Sequence, residues 1–272
     1  MMSDSDALTF DKHGYIHVRD VIDATTVAEL RTVFLEALAK QGTRLLVDSA
    51  IQFPRMRELL RRPKLMNTLT AILGKPFLVL PPTSVDHNRF GQFHTDTSGA
   101  EMTGWTFHKD PDFRAVVLGL YLQDNNDYGG GLRVVPGTHR EPDVFVSMLK
   151  KKHEVRAAVD RSWVRSFLKR VSRGRLFTWR DDALENVPNQ IDVPTKAGDA
   201  LMWDMRLVHR ASPQKIEGEA IPGGKVALFY VLGTDNAATR KWLEYLTVSG
   251  EMEKVRAKGT VVPAPNEDFI VL

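Results

Sequence analysis

Two histidines and one aspartate are spaced so that they could bind one metal ion together. His94 and Asp96 lie two positions apart at the predicted end of one strand, and His209 closes a second predicted strand. Two imidazoles and one carboxylate on one face of iron(II) leave coordination positions open for a co-substrate and dioxygen. The pattern therefore predicts a non-haem iron centre with His94, Asp96 and His209 as ligands.

A second pair of the same spacing, His108 and Asp110, competes with the first. The chain has eight histidines and 34 acidic residues, so pairs of this kind arise by chance. The spacing alone leaves both pairs open as partners of His209.

The composition narrows the class of protein and the kind of metal site. The chain has 272 residues, of which 43% are hydrophobic and 26% charged, as is typical of a globular protein. Because cysteine is absent, disulfides, thiolate metal sites and cysteine nucleophiles are excluded, and a metal must bind nitrogen and oxygen ligands. No apolar run reaches the roughly 20 residues of a membrane span. The polar, acidic opening at residues 1–6 is unlike a signal peptide, which favours a soluble, cytoplasmic protein.

The hydrophobic pattern predicts helices in the N-terminal third and strands after it. Asp23 is the expected N-cap of a helix that ends at Gly42, within a helical segment of about residues 20–75. Short apolar or alternating runs then predict strands at 77–80, 84–93, 115–123, 132–135, 200–208 and 225–232, and a last helix is expected at 237–246. We therefore expect a mainly β fold with flanking α-helices, of the sandwich or jelly-roll type, as one domain over residues 1–272.

A basic segment interrupts the strands and forms part of a predicted helical insertion at about residues 141–197. Eleven Lys or Arg residues and two acidic residues lie between Lys150 and Arg180. Trp163, Phe167 and Val171 recur at helical spacing within it. Its cations could hold an anionic substrate, form a nucleic-acid surface, or simply be the solvated face of a helix.

Several ordered motifs resemble those of the phytanoyl-CoA dioxygenase-like enzymes. The segment Gly129–Arg140 is similar to their Gly-Leu-x-Val-x-Pro-Gly-Ser-His motif, and Tyr121–Asp124 to the strand before it. Gly198–Asp199 with the strand to His209, and the opening Phe10–Ile16, also match in order. The resemblance covers about residues 8–235. It implies a double-stranded β-helix of the jelly-roll, cupin-like kind, iron(II), 2-oxoglutarate and dioxygen, and oxidation of a small molecule.

The resemblance favours His94 and Asp96 over His108 and Asp110 as metal ligands. Family members have a loop between the metal-binding pair and the next core strand, which here begins near Ala115. That loop has room after Asp96 and little after Asp110, so the second pair is the fallback. Three residues are then expected to contact substrate: His108 on the loop over the site, Gln92 and Trp203. His139, in the Pro-Gly-Thr-His turn, is not a ligand in the family.

The resemblance also implies a cation that binds the distal carboxylate of 2-oxoglutarate. Family members place a basic residue, usually arginine, at the start of the strand after the distal histidine, where this chain has Lys225. Lysine departs from the pattern because it lacks the bidentate fork of arginine. Arg210 is the second candidate, although strand alternation turns it away from His209. Tyr121 and Gln123 share one face of their strand and could hydrogen-bond the co-substrate.

The expected activity is oxidation, most simply hydroxylation, of a small and possibly anionic molecule with release of succinate and carbon dioxide. Halogenation is disfavoured because it usually requires that the carboxylate ligand be replaced, and Asp96 is present. Two alternatives remain. One is a cupin-like metalloenzyme that does not use 2-oxoglutarate. The other is a non-catalytic protein that binds an anionic partner through the basic segment; nucleic acid is the less favoured partner. A monomer and a homodimer are both open.

Overall fold

A computed structural model describes residues 4–41, 44–46, 54–141, 143, 146–147, 187–215, 223–250 and 269–271. The basic segment Lys150–Arg180, with its predicted helical face, lies outside these ranges. Seven α-helices are described: α1 Asp4–His13, α2 Ala24–Gln41, α3 Pro54–Leu60, α4 Pro63–Leu73, α5 Ser98–Met102, α6 Asn125–Tyr128 and α7 Ala237–Val248. Short 3-10 turns occur at Phe107–Lys109 and Thr138–Arg140.

The predicted N-terminal helix is confirmed as α2. The backbone N–H of Thr26 donates to Oδ1 of Asp23 over 2.7 Å, so Asp23 caps the helix as expected. Its apolar face, with Leu30 and Phe34 at its centre, is buried against the core. The helix ends at Gln41, one residue before the glycine that predicted its end.

In the described ranges, ten strands form two sheets, which are antiparallel except where β10 runs parallel to β3. The large sheet has the order β1-β7-β4-β9-β3-β10, with β2 also paired to β3, and the small sheet has the order β6-β5-β8. The strands are β1 Tyr15–Val18, β2 Arg44–Leu46, β3 Phe77–His87, β4 Ala115–Tyr121, β5 Leu132–Val134, β6 Ile191–Val193, β7 Ala200–Asp204, β8 His209–Ala211, β9 Val226–Thr234 and β10 Phe269–Val271.

The two faces of the large sheet have different partners. Alternate residues such as Leu118 and Leu228 pack against the N-terminal helices. The intervening residues, such as Val117 and Trp203, pack in one cluster with Leu132 of the small sheet. Because side chains alternate along each strand, the second set forms the layer between the two sheets. This inner layer is where the candidate ligands lie.

The predicted strand over residues 200–208 is wrong, because the chain turns within it. β7 ends at Asp204, whose carboxylate accepts hydrogen bonds from the backbone N–H and the guanidinium of Arg206, both over 2.8 Å. The N–H of Leu207 also donates to the carbonyl of Asp204. His209 therefore begins a separate strand in the small sheet, while Trp203 stays in the large one.

Two further boundaries are corrected. The predicted strand over residues 84–93 ends at His87, so His94 is not its last residue. The predicted insertion at 141–197 is too long, because Ile191–Val193 pairs with β5 as an edge strand of the small sheet. Both errors come from segments whose pairing partners are distant in sequence.

Candidate metal centre

Backbone pairing brings the two predicted ligand histidines, His94 and His209, together. His94 and His209 form an isolated antiparallel bridge, in which each N–H donates to the other residue's carbonyl over 2.9 Å. The N–H of Asp96 donates to the carbonyl of Met205, in the turn after β7, over 2.8 Å. These bonds place His94 beside His209, the first residue of β8, and Asp96 beside the turn that precedes this strand.

The side chains of His94, Asp96 and His209, here called the His209 cluster, face one another. One ligand atom from each lies within 4.8 Å of the other two. Nε2 of His94 is 3.9 Å from Oδ1 of Asp96, and Nε2 of His209 is 3.9 Å from Oδ2. These separations suit three atoms arranged around one ion rather than bonded to each other.

Both rings donate hydrogen bonds from Nδ1, which leaves Nε2 of each ring available to bind a metal. Nδ1 of His94 lies 2.7 Å from the carbonyl of Gln92, and Nδ1 of His209 lies 2.9 Å from the carbonyl of Leu207. A carbonyl only accepts, so each Nδ1 carries a proton, and in the neutral form of each ring the lone pair is on Nε2. Two neutral imidazoles and one carboxylate form a donor set that fits iron(II).

The electrostatics of His209 also favour a neutral ligand. Its side chain is only 5% exposed. Burial, reinforced by the neighbouring His94, lowers the pKa of His209 to about 4. The ring is therefore uncharged near neutral pH, as metal binding requires. His94, at 42% exposure, lies on the open side of the cluster.

Trp203, predicted to contact substrate, donates a hydrogen bond to a candidate ligand. Its Nε1 lies 3.1 Å from Oδ2 of Asp96, and its ring centroid is 5.2 Å from that of His209. The sequence pattern did not predict this contact, because the apolar run favours one strand that contains both Trp203 and His209. Gln92, also predicted to contact substrate, is exposed beside His94 and supplies the carbonyl that His94 contacts.

The fallback pair lies elsewhere. His108 is buried, and its Nε2 is 3.2 Å from Oδ1 of Asp143, which also forms an ion pair with Lys109. Glu101, His108 and Asp143, here called the His108 cluster, form a second group with metal-binding atom types. Asp110 accepts the N–H of Asp112 in a local turn. Within the described part of the chain, neither His108 nor Asp110 belongs to the group around His209.

His139 packs against the N-terminal segment. It is buried, and its Nε2 lies 3.2 Å from the carbonyl of Asp11. Gly14, with φ of +79°, approaches so closely that a Cβ atom there would lie 2.4 Å from Nδ1 of His139. A side chain at position 14 would therefore clash with this histidine.

Lys225 lies immediately before β9, and Arg210 does not share the face of His209 on β8. Lys225 is 6% exposed. By strand alternation it shares a face with Ala227 and Phe229. Its Nζ donates to the carbonyl of Arg89 over 2.8 Å. Burial lowers the pKa of Lys225 to about 8. The guanidinium of Arg210 instead lies 5.5 Å from the ring centroid of Phe93.

The other two predicted co-substrate contacts differ in their surroundings. Tyr121 is buried in the inner layer, with its ring edge-on to Phe229 at 6.3 Å. Gln123 is buried just beyond β4, where its Oε1 accepts the N–H of Val226 over 2.7 Å and its Nε2 donates to Asn125 over 2.9 Å. The Gln123 amide thus ties the end of β4 to the start of β9.

A family profile agrees with this geometry. The profile described as Phytanoyl-CoA dioxygenase (PhyH) matches residues 10–217, which is most of the chain. The chain belongs to this family. Iron and 2-oxoglutarate are the metal and co-substrate typical of the phytanoyl-CoA dioxygenase family, and the His209 cluster is the candidate metal-binding triad.

Solved structures share the fold at low sequence identity. The epimerase SnoN, in complex with Fe3+, alpha ketoglutarate and nogalamycin RO, is 19% identical, with coverage of 85% of this chain and 83% of SnoN and a TM-score of 0.54. EctD from S. alaskensis with bound Fe is 20% identical (86% and 77% covered, TM-score 0.55). HygX from Streptomyces hygroscopicus, with nickel and 2-oxoglutarate bound, is 14% identical (86% and 88%, TM-score 0.55). No curated protein matches the sequence.

A helix that could cross a membrane would need to be both long and apolar. Within the described ranges no helix meets these requirements.

Proposed function

We propose that this member of the family is an iron(II)- and 2-oxoglutarate-dependent oxygenase that hydroxylates a small molecule, in one oxygenase domain whose two sheets close into a double-stranded β-helix. The observation that carries the proposal is the convergence of His94, Asp96 and His209, with ligand atoms within 4.8 Å and both Nδ1 atoms engaged by carbonyls. A chance cluster of surface residues would not present two preset tautomers and one carboxylate to the same point.

In the proposed enzyme these three side chains hold the metal, and each has a separate task. His209, buried and neutral, provides a ligand shielded from water. Asp96 supplies the negative charge that partly offsets the metal's charge. His94, on the exposed side, borders the opening through which ligands enter. The bound iron would supply the redox chemistry that couples oxidative decarboxylation of 2-oxoglutarate to oxidation of the substrate.

Lys225 is the proposed anchor for the distal carboxylate of 2-oxoglutarate. Its ammonium is buried immediately before β9, and a charge-assisted hydrogen bond is strong in such a place. Its present acceptor, the carbonyl of Arg89, leaves further N–H groups for a carboxylate. Arg210 is the weaker candidate because its side chain packs on Phe93, on the other side of β8 from His209.

The first experiment tests the oxygenase function itself. Iron(II) and 2-oxoglutarate are added to the metal-free protein without oxygen, and succinate release is then followed in air with a mixture of small metabolites. We expect one iron per chain, and substrate-dependent succinate with an oxygen atom from labelled dioxygen in the product. Turnover without succinate would favour the metalloenzyme that does not use 2-oxoglutarate. If succinate is released and the product is isomerised, the proposed reaction would change from hydroxylation to epimerisation, the reaction for which the structural neighbour SnoN is named.

A second experiment tests the anchor. Lys225→Met should raise the KM for 2-oxoglutarate strongly while iron binding persists, because an unpaired buried carboxylate costs roughly 3–5 kcal/mol. Lys225→Arg should retain more activity because the charge is kept. Arg210→Met is the matched control and should leave the KM unchanged. The reverse result for Lys225→Met and Arg210→Met would transfer the role to Arg210.

A further inference from the structure

The carboxylate of Asp96 offers both of its oxygens to the metal position. Oδ1 is 3.9 Å from Nε2 of His94, and Oδ2 is 3.9 Å from Nε2 of His209. Carboxylates bind metals through one oxygen or through both. A bidentate Asp96 would occupy one of the positions that a three-ligand iron site leaves open. Something must therefore distinguish the two oxygens if the co-substrate is to bind bidentately.

We propose that Trp203 is a positioning residue that makes Asp96 a one-oxygen ligand. Its indole N–H donates to Oδ2 over 3.1 Å, which reduces the electron density available from that oxygen and holds the carboxylate plane in place. Oδ1 would then serve as the ligand, and the coordination position that Oδ2 would otherwise take would stay available to 2-oxoglutarate. This inference rests on the proposed function, since it concerns how the same site receives its co-substrate.

The surroundings of Trp203 keep its indole in one orientation. The side chain is 2% exposed, and its ring packs edge-on to Phe229 at 6.1 Å. Gly119 on the adjacent strand makes room for it, because a Cβ atom there would lie 3.0 Å from Cζ3 of Trp203 and 3.1 Å from Phe229. A close-packed ring that cannot change rotamer directs its N–H reliably.

The test compares Trp203→Phe with Trp242→Phe. Phenylalanine keeps an aromatic ring and removes the N–H. Trp242 is the matched control because it is also buried, at 5% exposure, and donates its N–H to the carbonyl of Pro81 over 2.8 Å. Both variants lose one indole hydrogen bond of a buried tryptophan, and only the first loses a bond to the candidate ligand set. Cobalt(II) replaces iron, since its visible absorption reports coordination number without turnover.

We expect Trp203→Phe to bind cobalt(II) with at most a small loss of affinity, because all three ligands remain. Its cobalt absorption should differ from wild type before 2-oxoglutarate is added, and its affinity for 2-oxoglutarate should fall about 10-fold or more. The Trp242→Phe protein should match wild type in both measurements. Combining Trp203→Phe with Lys225→Met should multiply the two losses, because the residues act on opposite ends of the co-substrate.

Wild-type absorption and wild-type 2-oxoglutarate affinity in Trp203→Phe would overturn the proposal, as would equal losses in Trp242→Phe. If Trp203→Phe does not fold, benzothienylalanine at position 203 keeps the ring shape with sulfur in place of the N–H, and the same outcomes apply. A wild-type protein that binds no 2-oxoglutarate in the presence of metal would instead refute the proposed oxygenase function.

Discussion

The His209 cluster and the His108 cluster contain the same kinds of residue but differ in what their hydrogen bonds leave free. In the His209 cluster both rings use Nδ1 on carbonyls, so both Nε2 atoms point to a shared position. In the His108 cluster Nε2 of His108 contacts Asp143, which already pairs with the ammonium of Lys109. Among the described residues, the His108 cluster therefore has a lysine ammonium paired with one of its carboxylates, whereas the charged contacts of Asp96 in the His209 cluster are to the two histidines.

The comparison teaches that residue type and proximity are not enough to make a metal site. A site needs lone pairs that converge and a charge that the protein has not already neutralised. The His108 cluster has Nδ1 of His108 and Oε2 of Glu101 buried without hydrogen-bond partners among the described residues. The ammonium of the neighbouring Lys109 nevertheless competes with any metal for the carboxylate of Asp143. We therefore expect the two clusters to respond differently to substitution and to acid.

The largest effect should come from His209→Ala. Loss of one of three ligands should reduce iron affinity by more than the roughly 10–100-fold that outer hydrogen-bond partners cost, and should abolish turnover. Anaerobic iron titration measures the first and succinate release the second. His139→Ala is the control, since that buried histidine contacts Asp11 and not the cluster. Full activity in His209→Ala would refute the ligand assignment.

His108→Ala should lower the stability of the fold and leave iron binding nearly unchanged, the opposite of what we expect for iron binding in His209→Ala. Iron affinity should remain within a few-fold of wild type, because His108 lies outside the group around His209. The free energy of unfolding should fall by about 1–3 kcal/mol, since Asp143 loses a partner and a buried ring is removed. Urea unfolding and iron titration on the same sample separate the two effects. Loss of iron from a folded His108→Ala protein would move the metal to the fallback pair.

Acid should destabilise the two clusters in different pH ranges. The folded pKa of His209 is about 4, below its ordinary value of 6.5, so the unfolded chain binds more protons between these values. The metal-free protein should therefore lose stability as the pH falls from about 6.5 to about 4, by an amount on the order of 1–3 kcal/mol. Urea unfolding at several pH values measures this slope, and His209→Gln should reduce it.

In the His108 cluster, Asp143 should respond at lower pH than His209 does. Burial acts to raise the pKa of Asp143, but hydrogen bonds from Lys109 and His108 outweigh it and the pKa is lowered. Its stabilising contribution is present above the ordinary carboxyl range and is lost as the pH falls through the depressed value. In an Asp143→Asn protein, the free energy of unfolding should depend on pH as in wild type between about 6.5 and 4, and less steeply than in wild type in stronger acid. A changed pH dependence of the free energy of unfolding between about pH 6.5 and 4 would contradict the assignment of that range to His209.

The smallest effect should come from Lys109→Met. Lys109 and Asp143 are both partly exposed, and such ion pairs contribute roughly 0–1 kcal/mol. The iron stoichiometry should stay at one per chain. If a second equivalent binds, the ammonium alone was excluding metal from the His108 cluster, and the contrast between the clusters would be weaker than argued above.

Local signals in the sequence predicted helices better than strand boundaries. The Asp23 cap, the apolar spacing and Gly42 located α2 to within one residue of its end, because these signals act within one or two turns of the chain. The break after Asp204 was missed because Met205, Leu207 and Val208 continue the apolar run. The turn depends on hydrogen bonds to Asp204, and the hydrophobic pattern does not predict these bonds.

The sequence by itself determined the chemical types of the ligands and the family of the protein. The lack of cysteine restricts a metal to nitrogen and oxygen, and the ordered motifs between residues 10 and 217 carry the family match. Both properties depend only on which residues are present and in what order, so they can be predicted without knowing which residues are in contact.

Only the tertiary structure decided which residues meet. The bridge between His94 and His209 brings the first histidine–aspartate pair to the distal histidine, although both pairs have the same spacing. The contact from Trp203 to Asp96 crosses from the large sheet to the loop beside the small one. Both depend on the register of strands far apart in sequence, and a shift of one residue would turn every side chain of a strand to its other face.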